Sequence, residues 1–160
     1  VFEHYITREL NRVIRHENGL AYGLGCVGFG NERFMVNGFA TETSAANVEK
    51  CVALMAQNAH RVYTENKINA DDLDRMCRSK KLSRADFLES AGARCDKLLS
   101  FYRRYNRLYD FYGISSLYDS ATVDDVIKYS RGYFDGPISI ITQGADFTAD
   151  LGAVWRENFK

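Results

Sequence analysis

Near residue 19 the apolar period of the chain changes from that of a helix to that of a strand, and nothing else in its 160 residues constrains the fold as much. Phe2, Ile6, Leu10, Val13 and Ile14 recur at helical spacing with Arg8, Arg12 and Arg15 between them, which predicts a helix over 2–17. Asn18-Gly19 supplies the stop, because glycine takes the left-handed backbone on which helices end. From Leu20 the period is two. Leu20, Tyr22, Leu24 and Cys26 share one face, while Ala21, Gly23, Gly25 and Val27 share the other. Gly28 to Asn31 reads as a turn, and Phe34, Val36, Gly38 and Ala40 begin a second alternating run, so a hairpin is expected.

Downstream the period is helical again. Val48, Cys51, Val52, Met55, Ala59, Val62 and Tyr63 mark a second helix, with a break near Asn66-Lys67-Ile68. Asn69 caps a third, with Asp71 and Asp72 in its first turn. Its stripe of Leu73, Met76, Cys77, Phe87 and Leu88 is interrupted by Lys80, Lys81 and Arg84, which marks it as the least buried element before Ser90-Ala91-Gly92 ends it. Cys95, Leu98, Leu99, Tyr102 and Tyr109 define a fourth helix, ending near Gly113. Thr122-x-x-Asp125 has the form of a capping box opening a fifth, with Val126, Ile127 and Tyr133 inward. Asp135-Gly136-Pro137 then turns the chain into a strand over 138–142.

A strand after several helices must join sheet formed earlier, which gives an α+β fold: helices on one face of a largely antiparallel sheet, in one domain over 1–160. Three strands are few for so many helices, so the domain is expected to be incomplete at its N-terminus. The start, which lacks a methionine and a signal-peptide pattern, suggests a processed or excised piece of a longer protein. The expected core is Val48, Val52, Met55, Leu98, Leu99, Val126, Ile127, Ile138 and Ile140.

Composition narrows the function classes. The 21 basic and 21 acidic residues cancel, which removes the positive field that nucleic-acid binders use. Tyr102 to Tyr109 does mix arginine with aromatics, yet Tyr102, Tyr105 and Tyr109 fall on one helical stripe and Arg103, Arg104 and Arg107 on another. That reads as a core-facing tyrosine stripe beside a solvated arginine face. No run approaches the ~20 apolar residues of a membrane-spanning segment. Cysteines 26, 51, 77 and 95 form no C-x-x-C pair and read as buried core residues. His4, His16 and His60 have no companion at metal-ligand spacing, no serine sits in a G-x-S-x-G elbow, and no helix follows the glycines of 23–30 to cradle a phosphate. No catalytic or metal-binding residue is assigned.

The candidate site is the pair Arg15 and Tyr22. They stand seven residues apart across the Asn18-Gly19 reversal, which can bring a guanidinium and a phenol to one surface. A permanent cation beside a hydroxyl donor suits a carbonyl oxygen or its oxyanion. The same residues also read as an arginine capping the helix C-terminus and a tyrosine on a half-exposed strand.

The block Arg15-x-x-x-Gly19-Leu20-Ala21-Tyr22, after an apolar helix and before a hairpin, resembles the C-terminal homologous domain of the insulinase/pitrilysin family of zinc peptidases, which includes processing peptidases and respiratory-complex core subunits. The likeness continues through Phe34–Ala40, the helix from Val48 and Gly136-Pro137-Ile138-Ser139-Ile140. It implies a metallopeptidase-like fold in which zinc is bound by an H-x-x-E-H motif on a separate, homologous domain or subunit. It also implies that Arg15 and Tyr22 contact an extended peptide substrate opposite the metal. No H-x-x-E-H occurs in this chain, so the resemblance makes it the metal-free half, inactive alone. Two other functions fit the same residues: a structural subunit of that fold, or a module pairing a peptide strand along the hairpin edge.

Overall fold

The computed structural model describes residues 2–30, 34–65, 68–144 and 148–160. Helix α1 (Phe2–Asn11) runs straight into a π-helical turn at Arg12–Glu17. Strands β1 (Ala21–Gly30) and β2 (Met35–Thr43) form a two-stranded antiparallel sheet. A 3-10 turn at Ala45–Asn47 leads into α2 (Val48–Glu65). Then follow α3 (Ala70–Glu89), α4 (Ala91–Tyr105), α5 (Gly113–Ser120), α6 (Val123–Phe134) and α7 (Leu151–Asn158). The architecture is therefore mixed helix and antiparallel sheet. It divides into two compact units, one of Phe2–Val27, Gly38–Lys67 and Val126–Lys160, the other containing Gly28–Asn37 and Ile68–Asp125.

In the first unit, Phe2, Ile6, Leu10 and Ile14 are buried at a strict spacing of four. A regular α-helix would rotate each fourth residue by about 40°, carrying Ile14 well off the core face after three steps. The π turn, which closes i→i+5, absorbs the excess and keeps Ile14 inside. Asn11 fixes this helix to β1 through both polar atoms of its amide. Its Nδ2 donates to the Leu24 carbonyl at 2.6 Å, and its Oδ1 accepts from the Leu24 N–H at 2.9 Å. Helix α7, to which the sequence pattern assigns nothing, is capped by Asp150, which accepts from the Ala153 N–H. It packs against α2, where Gln57 donates to Asn158 and the His60 ring meets Phe159 edge-on at 5.4 Å.

In the second unit, Asn69 caps α3 by accepting from the Asp72 N–H, and Ser90 ends α3 while capping α4. Thr122 and Asp125 form the reciprocal box expected at the start of α6. Because α3 buries Leu73, Met76 and Cys77 whereas α4 and α5 bury no side chain fully, α3 is not the least buried helix.

Other expectations are corrected by what covers each face. Residues 138–142 belong to no strand. The fourth helix stops at Tyr105, where Asn106 adopts left-handed φ +50°, and Asp110 restarts the chain as α5 by accepting from the Gly113 N–H. Of the expected core only Val52 and Val126 are buried. Leu99 is 55% and Ile138 46% exposed, and Val48, Met55, Leu98, Ile127 and Ile140 are half-buried. Tyr102 and Tyr105 are also half exposed, so their stripe does not face a core. Tyr109 is half-buried, against Phe101 and Phe111. Cys51 and Cys77 are buried as expected, whereas Cys26 and Cys95 are exposed. β1 continues through Gly28–Gly30, while Asn31 of the expected turn and Asn66-Lys67 of the expected break lie outside the described residues.

Candidate functional site

Gly19 adopts φ +60° at the end of the π turn, in space where a side chain would meet nothing, so the left-handed backbone alone selects glycine here. The reversal it makes sends β1 back past the helix end. Arg15 and Tyr22 are thereby brought together, with the guanidinium carbon 5.1 Å from the centre of the Tyr22 ring. Both side chains face outward, Tyr22 being 87% exposed. A cation at this distance over a phenol ring is attracted by the ring's negative face, by about 0.5–1 kcal/mol at an exposed site.

The helix end is capped without the Arg15 side chain. The Gly19 N–H donates to the Arg15 carbonyl at 3.1 Å, the Leu20 N–H to the Ile14 carbonyl at 2.9 Å, and the Asn18 amide to the Val13 carbonyl at 2.9 Å. A capping role for the guanidinium is thus already filled. Among the described residues, Arg15 makes no ion pair and the Tyr22 hydroxyl no hydrogen bond. Arg12, three residues earlier, is instead committed to Glu9 and Glu17. Glu9 also holds Arg61, whose guanidinium donates to Asn58.

The strand beneath the pair is fastened on both sides. Thr41 donates to the Gly23 carbonyl at 2.6 Å and Thr43 to the Leu20 carbonyl at 2.5 Å, while Asn11 holds Leu24. The pair therefore rests on a fixed base with its donors free. Between them the two side chains carry five guanidinium N–H donors and one phenol O–H donor. Sequence reasoning found the pair but missed its supports, the π turn and the Asn11 clamp. The signal for the first was present in the four-residue spacing of Phe2, Ile6, Leu10 and Ile14.

Among the described residues no three His, Cys, Asp or Glu side chains gather to hold a metal ion, and no helix is long and apolar enough to cross a membrane. Burial raises the phenols of Tyr129 and Tyr133 above the ordinary range, with Glu3 adding to both. Burial also raises the Cys51 thiol, against the opposing effect of the hydrogen bond it donates to Thr43. None of these groups belongs to the Arg15–Tyr22 surface. Compared with known proteins, the chain matches no family model and no curated protein.

Proposed function

We propose that this chain is the metal-free half of an insulinase-type zinc endopeptidase, in which Arg15 and Tyr22 hold the backbone of an extended peptide. The observation that carries this reading is the Arg15–Tyr22 contact itself, two outward-facing donors stacked on a fastened strand and used by nothing else among the described residues. Physically, the guanidinium and phenol grip a peptide carbonyl, orient it, and stabilise negative charge that builds on its oxygen. The sequence holds no H-x-x-E-H, and the resemblance puts the metal on a homologous domain or subunit that carries that motif. Zinc supplies Lewis-acid polarisation there, while this chain supplies binding and orientation.

The reading is tested by combining the chain with its zinc-bearing partner and following cleavage of an unstructured peptide. Tyr22→Phe and Arg15→Lys should each abolish most turnover in an otherwise folded complex. Normal turnover in both variants would end the reading.

A further inference from the structure

We propose that the solvent face of α4 is a docking surface for an acidic amphipathic helix of a partner protein. Helix α4 packs on α3 along one side, where Leu98 and Phe101 are half-buried and the Arg94 guanidinium donates to the Leu88 carbonyl. Another side carries Cys95, Leu99 and Tyr102 at spacings i, i+4 and i+7, which is one stripe along two turns. All three are exposed, as is Tyr105 in the last turn. The charge around the stripe says what fits it. Residues 97–109 hold Lys97, Arg103, Arg104 and Arg107 and no acidic residue, although the whole chain is neutral. Among the described residues none of these four cations makes an ion pair. Arg103 stands one turn beyond Leu99 and borders the stripe. An apolar stripe edged by unpaired cations is the complement of a helix whose apolar face is edged by Asp and Glu.

The occupant is a helix because α4 pairs its own main-chain N–H and C=O groups internally, so an extended strand would find no backbone partner there. Side chains at i, i+4 and i+7 instead form a ridge that packs into the grooves of a second helix. A second copy of the chain is the weaker occupant. Asp96 is the one acidic residue on α4, so a two-fold pair of these faces would leave most of the positive charge uncompensated. A single-stranded nucleic acid is weaker too, because stacking needs open ring faces. The rings of Phe101 and Tyr105 lie under the Arg107 guanidinium at 5.7 and 5.8 Å, and Tyr109 lies under the Lys97 ammonium at 5.1 Å. Cys95 and Leu99 offer no ring at all, and a neutral chain supplies no long-range field for a polyanion. The inference is independent of the Arg15–Tyr22 reading.

The test uses a fluorescent helical peptide of roughly two heptads, with leucine on its apolar face and glutamate along the flanks. A control peptide has lysine in place of every glutamate. Anisotropy follows binding to the full chain, and thiol labelling locates it, because Cys95 lies in the stripe and the other exposed cysteine, Cys26, lies on β1. The glutamate peptide should bind and slow labelling of Cys95 by tenfold or more, leaving Cys26 unchanged. The lysine peptide should bind at least tenfold more weakly. Arg103→Glu combined with Arg107→Glu should reverse that preference, with helical content by circular dichroism retained. Leu99→Ala should weaken binding at least tenfold while melting stays nearly unchanged. Tyr22→Phe should bind the peptide normally, which separates this surface from the proposed substrate site. The proposal is overturned by equal binding of both peptides, by binding of neither, or by binding that leaves Cys95 labelling unaltered. Protection of Cys95 that grows with protein concentration alone would overturn it in favour of a second copy. Tighter binding of a thymidine oligonucleotide of equal charge would overturn it in favour of a nucleic acid.

Discussion

Arg15 and Tyr22 meet with the guanidinium carbon 5.1 Å from the ring centre, across a reversal that Gly19 makes at φ +60°. The contact joins the last turn of one element to the start of the next. It leaves both side chains open to water while the backbone beneath them is tied by Asn11, Thr41 and Thr43.

Tyr22→Phe removes one hydroxyl and keeps the ring beneath the guanidinium. With the phenol 87% exposed, the melting midpoint should barely move. Turnover in the complex with the zinc-bearing partner should fall by roughly 10²-fold, the size expected for one preorganised donor. Arg15→Lys should fail similarly, because an ammonium lacks the planar fork. Calorimetry and cleavage assays on the same preparations check both. Lost stability with unaltered turnover per folded molecule would instead make the pair structural.

Leu10→Ala should cost about 2–5 kcal/mol in denaturant melts, since this side chain is fully buried and its removal leaves a cavity. Leu99→Ala should cost under about 1 kcal/mol, because over half of Leu99 is in water already. Equal losses at the two positions would show that the exposed face of α4 is covered in solution.

A thiol reagent should label Cys26 and Cys95 quickly in the native chain, and Cys51 and Cys77 only on unfolding. Burial raises the Cys51 thiol, which further lowers its share of reactive thiolate. Mass mapping of partially labelled protein distinguishes the four sites.

Stability should decline above pH 10. Burial raises the Tyr133 phenol above its ordinary value of 10.0, so the unfolded chain releases that proton first. Native protein then binds more protons than unfolded, and stability falls as pH rises through this range. Tyr133→Phe should flatten the decline in denaturant midpoints measured from pH 9 to 11. It should do so without loss at neutral pH, because the Tyr133 hydroxyl is buried with no hydrogen-bond partner.

Local chemistry was legible in the sequence alone. The change of period at residue 19, the caps at Asn69 and Thr122, and the approach of Arg15 to Tyr22 all depend on residues within a few positions of one another. Their physics travels with the chain. Periodicity, however, names a face without saying whether anything covers it. Leu99, Tyr102 and Ile138 sit at core-like positions and are about half exposed, because among the described residues no element closes over them. The π turn answers a tertiary demand, keeping Ile14 on the core face of a helix whose apolar residues recur every four positions. The segment at 138–142 has the composition of a strand, but a strand exists only when another backbone accepts its hydrogen bonds, and that pairing is decided in three dimensions.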